Sequence, residues 1–290
     1  ASVCILDEFE VHKNEKFLRI AEELRPKLHA THILPERIIK TAENEKSELE
    51  VCEEESLDKL KEKHLNAGES VIFDFGNHHV GYVTLDLGSF GSHQDAPAYI
   101  YLKFAERLDE LGADTDSYNG WISKGWIQEE FLHIDVLPAK LKLPRRYAFR
   151  YLEIKVIAVS LKFSLVVNEV KAESVSAVSE KEVSMLRTGD ELLKKIDEVS
   201  IRTLKNCMQL VFEDGPKRDR RMWLGDLRLQ ARANYKTFHN TDMVKRCLYL
   251  FGGLTFNEGK LAACLFLEPE IEPDDTYLFD YALLYGSVLL

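Results

Sequence analysis

Residues 213–226 read Glu-Asp-Gly-Pro-Lys-Arg-Asp-Arg-Arg-Met-Trp-Leu-Gly-Asp and hold more ionisable groups around one tryptophan than any other stretch. Aspartates alternate here with lysine and arginine beside Trp223. Helix-breaking Gly215, Pro216 and Gly225 stand on both sides. The stretch therefore predicts a polar loop between two helices, in which carboxylates and guanidiniums are held close together.

The sequence on both sides of this loop has a helical period. Apolar residues recur every three or four positions, as in an amphipathic helix. One helix is expected over Leu192–Val211, after a capping box at Thr188–Glu191. Further helices are expected from near Asp226, over Thr241–Gly253 and over Thr276–Leu290. Residues 184–290 therefore predict helical hairpins, the repeating unit of an α/α toroid.

The preceding region has a period of two, which is typical of strands. Val71, Phe73 and Phe75 alternate, and Gly76–His79 predicts a hairpin turn. Further strand-like runs cover Ala98–Phe104, Trp126–Val136, Tyr151–Ala158 and Ser164–Val170. Short strands at this spacing predict an antiparallel β-sandwich.

The first part of the chain is highly charged and predicts a peripheral region. Helices are expected at Asn14–Leu24 and Glu48–His64, with an extended segment at Leu28–Lys40. The expected domains are 1–67, a peripheral N-terminal region; 68–183, the β-sandwich; and 184–290, the helical part.

Composition excludes several classes of partner and site. A net charge of −11 argues against nucleic acid, and no apolar run of membrane-spanning length occurs. The five cysteines are Cys4, Cys52, Cys207, Cys247 and Cys264. Their number is odd and they lack CxxC spacing, so we expect free thiols rather than disulfides or a zinc site. No cofactor is expected. Free thiols favour a cytoplasmic location, although a leader could have preceded Ala1. Localisation and oligomeric state stay open.

The charged loop has two interpretations. Carboxylates beside an indole suit a sugar, because acids can protonate a glycosidic oxygen and Trp223 can stack on a ring. The alternative is an ion-paired loop without a ligand.

Two other features have similar alternatives. His78 and His79 are expected to be hairpin-tip residues rather than a metal pair, and Trp121 with Trp126 is expected to be edge packing rather than a sugar platform.

The loop resembles the Asp-Gly/Cys-Pro-x-Arg-Glu-x-Arg-x-x-Trp-x-Gly-Asp signature of bacterial α-L-rhamnosidases, glycoside hydrolase family 78. Weaker similarities precede it at Asp74–Gly76, Gly81–Val83, Ala105–Leu108 and Phe149–Glu153. The resemblance covers roughly residues 25–290 and implies a β-sandwich followed by an (α/α)6 six-hairpin toroid. The 107 residues from Ser184 to Leu290 are too few for twelve helices, which need roughly 200. We therefore expect an incomplete toroid, truncated at its C-terminal side relative to the family.

The resemblance also implies roles for single residues. Asp219 stands where the family carries its general-acid Glu, one methylene shorter, and Asp214 and Asp226 would bind sugar hydroxyls. Arg218 would keep neighbouring carboxylates ionised, and Trp223 would line the sugar site. The family's catalytic base lies further along its barrel, so we expect it beyond Leu290.

The implied function is an inverting glycosidase that removes terminal α-L-rhamnose from glycans or glycosides. Two alternatives remain: a six-hairpin glycosidase for another sugar, and a catalytically silent carbohydrate-binding relative. The shortened acid at Asp219 favours the silent relative, because misplacing a reacting group by about 1 Å can cost roughly a hundredfold in rate. The aglycone, the linkage and metal dependence are not indicated by the sequence.

Overall fold

A computed structural model describes residues 10–257 and 259–290, so Cys4 lies outside the described residues. In chain order, the helices are α1 (Glu15–Glu23), α2 (Asp109–Gly112), α3 (Glu191–Cys207), α4 (Leu224–Asn234), α5 (Thr241–Gly253) and α6 (Phe279–Leu289). The strands are β1 (Val11–Lys13), β2 (His29–Ile33), β3 (Arg37–Glu43), β4 (Leu49–Glu55), β5 (His64–Leu65), β6 (Ser70–Gly91), β7 (Ala98–Ala105), β8 (Glu129–Ile134), β9 (Ala139–Lys142), β10 (Tyr147–Ala158), β11 (Phe163–Ser176), β12 (Met222–Trp223), β13 (Leu254–Phe256), β14 (Lys260–Leu261), β15 (Cys264–Phe266) and β16 (Glu272–Pro273).

The chain forms two compact units. A strand-rich unit covers Ala30–Ser174, and a mostly helical unit combines Val175–Leu290 with the described residues up to His29. The domain boundaries at residues 68 and 184 stay a prediction.

The strand-rich unit is built around β6. This 22-residue strand pairs antiparallel with β10 and β11, and shorter stretches of it pair with β3 and β9. The sheet runs in the order β2-β11-β6-β10-β7-β8. Its inward side chains alternate along each strand and form one core with Phe73, Leu85, Ile100, Leu152 and Leu165 among its members. The period-two pattern of the sequence thus correctly predicted antiparallel strands.

A buried carboxylate lies between two arginines in this unit. The Asp74 side chain has no exposed surface. It accepts hydrogen bonds from Arg37 at 2.7 and 3.1 Å, from Arg150 at 2.8 and 3.0 Å and from the Gly76 N–H at 2.8 Å. Burial opposes ionisation of Asp74, but the hydrogen bonds from Arg150, Gly76 and Arg37 outweigh it and lower the pKa of this carboxyl. These contacts join β3, β6 and β10 where β10 carries a bulge.

Two local predictions were wrong in this unit. The expected turn at Gly76–His79 lies inside β6, where Gly76 has a φ of +75° and the strand continues past it. The expected helix at Glu48–His64 is instead β4 followed by a 3-10 helix over Leu57–Glu62. The Glu-rich run is compatible with a strand because pairing with β3 places Lys40 beside Glu53 at 2.6 Å.

The helical unit largely follows the expected periodicity. Helices α3 to α6 lie where the sequence predicted them. Buried side chains of α3, α4 and α5 share one core, and the partly buried Tyr281 and Tyr285 of α6 pack against it. The helix-capping prediction was wrong in detail. Asp190 rather than Thr188 caps α3, accepting bonds from the N–H groups of Leu192 and Leu193. A carboxylate at this position satisfies two otherwise unpaired N–H groups.

Helix α1 belongs to this unit although residues 24–190 separate it from α3. The Asn14 N–H donates to the Gly253 carbonyl at 2.9 Å, and β1 pairs with β13. The buried Arg246 of α5 donates to the carbonyls of Ala21 and Leu210. The N-terminal helix is therefore part of the helical core.

Candidate active site

The charged loop closes on itself between α3 and α4. The Asp214 N–H donates to the Arg221 carbonyl at 3.0 Å, and the Arg221 N–H donates back to Asp214 Oδ1 at 3.1 Å. Beyond this closure, β12 pairs with β15, and α4 begins at once. The pairing of β12 fixes Trp223 and the start of α4 relative to the loop.

The tip of the loop has an unusual backbone. Asp219 and Arg220 both have positive φ values, +61° and +56°. The Arg220 N–H donates to the carbonyls of Gly215 at 3.2 Å and Arg218 at 2.8 Å, and Arg220 Nε donates to the Pro216 carbonyl at 3.0 Å. Asp tolerates the left-handed region better than most residues, whereas Arg gains nothing from it. Two such residues in succession mark a strained turn of the kind found at functional sites.

Asp214 and Asp226 are half-buried carboxyls in one electrostatic environment. Burial raises the pKa of Asp214 to about 6, and the nearby Asp219 and Asp226 charges add to the rise, against backbone hydrogen bonds from Gly215 and Arg221. Burial likewise raises the pKa of Asp226. The structure therefore brings the three predicted aspartates close enough for their charges to interact. A carboxyl with a pKa of about 6 can hold a proton close to neutral pH.

Asp219 has a different partner. Its Oδ1 forms an ion pair with Arg218 Nη1 at 3.1 Å, with 17% of the Asp219 side chain and 48% of the Arg218 side chain exposed. Asp219 is thus partly reachable from solvent. The predicted influence of Arg218 on neighbouring carboxyls stays a prediction.

Trp223 lies directly before α4 and is partly buried. Its indole N–H is buried and has no hydrogen-bond partner within residues 10–257 and 259–290. The Tyr281 ring of α6 meets the Trp223 ring at 88°, with centroids 6.5 Å apart. Sequence reasoning missed Tyr281, because it lies 55 residues beyond the loop's last residue, Asp226, and no motif links them.

Sequence reasoning also missed the support behind the loop. The Arg221 guanidinium lies 4.2 Å from the centroid of the Phe266 ring on β15. The Cys264 thiol donates to Asp274 Oδ2 at 3.3 Å, and burial followed by Asp274 raises the pKa of this thiol. The first contact joins β15 to the residue before β12, the strand that positions Trp223, and the second joins β15 to the residue after β16.

Other expected features can be located in the described residues. His78 Nε2 lies 2.8 Å from Glu106 Oε1, and Trp121 is 92% exposed. No group of three or more His, Cys, Asp or Glu side chains in the described ranges is arranged to hold a metal ion. Among the helices described, none combines the length and apolar character needed to cross a membrane.

Comparisons with known proteins match both parts of the chain. Residues 35–174 match the family model of the glycosyl hydrolase family 78 α-rhamnosidase N-terminal domain. Residues 181–265 match that of the bacterial α-L-rhamnosidase six-hairpin glycosidase domain. No curated protein sequence matches the chain significantly.

Solved structures are similar over most of the chain. A rhamnosidase from Klebsiella oxytoca with rhamnose bound is 44% identical, with a TM-score of 0.93 over 96% of this chain and 55% of that one. A family 78 rhamnosidase of Bacillus sp. GL1 is 20% identical, with a TM-score of 0.57 over 76% of this chain and 21% of that one. An α-L-rhamnosidase from Dictyoglumus thermophilum is 17% identical, with a TM-score of 0.56 over 91% and 26%. The last two show the fold alone.

The chain spans about half the length of the Klebsiella relative. The two family models cover the strand-rich part and the loop-bearing helical part, in the order expected from the sequence. On these matches, the chain belongs to glycoside hydrolase family 78, the family of the α-rhamnosidases.

Proposed function

We propose that the whole protein is an α-L-rhamnosidase, which removes terminal α-L-rhamnose from glycans or glycosides by an inverting acid–base mechanism. The observation that carries this proposal is the cluster of Asp214, Asp219 and Asp226 beside Trp223, in a chain 44% identical to a rhamnosidase with rhamnose bound. An inverting glycosidase needs one carboxylic acid at the leaving oxygen and one carboxylate that activates water on the opposite face of the sugar.

In this proposal Asp219 donates the proton to the leaving oxygen. Its exposed edge and its place at the strained tip of the loop suit a group that meets the substrate. Asp214 and Asp226 accept hydrogen bonds from sugar hydroxyls, Arg218 balances their charge, and Trp223 lines the sugar. The base is supplied by a part of the whole protein outside these 290 residues.

Asp214 is a second candidate for the proton donor. Its pKa of about 6 keeps a proton available closer to neutral pH, whereas Asp219 is ion-paired with Arg218. A general acid must be protonated at the working pH before it can act.

Matched amide substitutions separate these assignments in the whole protein. Asp219→Asn should abolish p-nitrophenyl α-L-rhamnoside hydrolysis while keeping much of the affinity for L-rhamnose, because an amide keeps the shape but donates no acid proton. Asp226→Asn should weaken both binding and turnover. Asp242→Asn, an exposed carboxylate of α5, is the control and should change neither. If Asp219→Asn retains parental turnover while Asp214→Asn loses it, Asp214 is the acid.

The finer architecture is also proposed. The helical unit is the first part of a six-hairpin toroid, preceded by a β-sandwich. Several apolar side chains of α3 and α6 are exposed, as expected of helices that pack on further hairpins: Leu192, Ile196, Val199, Phe279 and Leu283. If so, replacing Leu192 and Ile196 by Lys should destabilise the whole protein but leave the 290-residue chain unaffected in thermal melts.

A silent carbohydrate-binding relative is the alternative function. The Asp219–Arg218 ion pair favours it, because a carboxylate held by a guanidinium is a poor proton donor. Calorimetry with L-rhamnose and an activity assay on the same whole protein distinguish the two. Binding without turnover supports the silent relative.

A further inference from the structure

Tyr281 occupies a position that only a glycine at residue 225 permits. An ideal Cβ built on Gly225 would lie 2.5 Å from Tyr281 Cζ and 2.7 Å from its hydroxyl oxygen. The phenol end of Tyr281 therefore lies directly against the first turn of α4. This turn also carries Asp226, one of the three carboxylates of the candidate site.

The Tyr281 ring and the Trp223 ring form two walls of a corner. They meet at 88° with centroids 6.5 Å apart, an edge-to-face arrangement that fixes both planes. Burial, and after it the charges of Asp226 and Asp280, raise the pKa of Tyr281. Asp226 therefore lies close enough for its charge to act on the Tyr281 phenol.

One polar group in this corner lacks a partner. The Trp223 indole N–H is buried and finds no acceptor within the described residues. Leaving a buried donor unpaired destabilises a fold, and such a group in a native structure indicates an unfilled ligand or water position. A sugar hydroxyl oxygen would accept this bond, and a tyrosine hydroxyl could donate to or accept from the same sugar.

We propose that Tyr281 is a further sugar-binding residue of this site, which places its ring against the ligand and hydrogen-bonds a sugar hydroxyl beside Asp226 and the Trp223 N–H. This assignment rests on the proposed function, because it takes the ligand to be the terminal sugar. Tyr281 adds a specificity-determining contact from α6 to a site otherwise built from residues 214–226.

The test is calorimetric titration of the whole protein with L-rhamnose, using two substitutions at Tyr281 and one control. Tyr281→Phe keeps the ring and removes the hydroxyl. It should weaken binding by about threefold to tenfold, the loss of one neutral hydrogen bond, with little change in the melting temperature. Tyr281→Leu also removes the aromatic wall and should weaken binding further.

The control is Tyr285→Phe on the same helix. The Tyr285 hydroxyl donates to the Leu248 carbonyl at 3.1 Å, a contact within the protein core rather than at the site. This variant should melt at a lower temperature and bind L-rhamnose as the unmodified protein does. The opposite signatures separate a binding role from a packing role.

The outcomes are distinct. If the unmodified protein binds L-rhamnose and both Tyr281 variants bind it equally well, Tyr281 has no place in the site and the inference fails alone. If the folded, unmodified protein binds no L-rhamnose, the sugar site proposed for this loop fails, and the assignment of Tyr281 fails with it. Weaker binding by Tyr281→Phe at unchanged stability supports the inference.

Discussion

Replacing Asp214 by Asn should stabilise the protein at neutral pH, although it removes a residue of the candidate site. The fold raises the pKa of this carboxyl to about 6, chiefly through burial, whereas an aspartate in an unfolded chain has a pKa of about 3.9. A raised pKa means that the folded state favours the protonated form. Ionised Asp214 is therefore a source of instability that an amide does not share.

The pH dependence follows from the two pKa values. Below about pH 4 both states carry protonated Asp214, so its protonation stabilises the fold fully. That stabilisation is lost as the pH rises from about 4 to above 6, since the unfolded state releases the proton first. A shift of about 2 units corresponds to about 3 kcal/mol. Partial solvent screening reduces this, so we expect about 1–3 kcal/mol in favour of Asp214→Asn at pH 7.5 and none at pH 3.5.

Urea unfolding followed by circular dichroism between pH 3.5 and 8 measures this difference. The amide oxygen can still accept the Arg221 N–H bond, so the loop closure is retained. Asp242→Asn removes the same net charge at an exposed position and should show no such pH trend. A stability difference for Asp214→Asn that is constant with pH, or that favours the wild type at pH 7.5, refutes the reasoning.

Three further substitutions test the packing. Gly225→Ala should destabilise by about 1–2 kcal/mol, because the clash with Tyr281 outweighs the gain in helix propensity, and Tyr281→Leu in the same chain should restore stability in thermal melts. Gly81→Ala should cost about 3 kcal/mol or more in urea unfolding and resist such rescue, because its Cβ would lie 2.0 Å from the backbone carbonyl oxygen of Glu173. Asp74→Asn should cost about 2–4 kcal/mol by the same measurement, since it leaves two arginines facing a neutral amide.

Local sequence patterns were sufficient to predict helices and strands where one hydrophobic period dominates. Helices α3 to α5 follow from apolar spacing, and β7 and β11 follow from alternation, because each of these elements buries apolar side chains of its own. Patterns failed at Gly76–His79, where glycine is a turn signal in most sequences. Here β10 pairs with β6 on both sides of Gly76, so tertiary pairing carries the strand through the glycine.

The candidate site was predictable only as a loop. The motif placed Asp214, Asp219 and Asp226 together because a short turn between two helices leaves little room to separate them. It could not indicate which carboxyl is raised in pKa, since burial depends on the whole helical unit. Tyr281 could not be predicted for a related reason. Its proposed role depends on the space left by Gly225, and the sequence indicates that glycine only as a helix breaker.

The contacts of α1 bear on how the protein is made. Arg246 donates to the Ala21 carbonyl across 225 residues of chain, and the Asn257 side chain accepts from the Glu10 N–H across 247. A ribosome adds about 5–20 residues per second, so roughly 10 to 45 seconds pass between the synthesis of α1 and the synthesis of these partners. The strand-rich unit can complete its pairing during that interval, since β2 to β11 are all synthesised before α3. The nascent chain therefore exposes the apolar face of α1 until α5 emerges. During this interval the exposed face is available for a chaperone to bind.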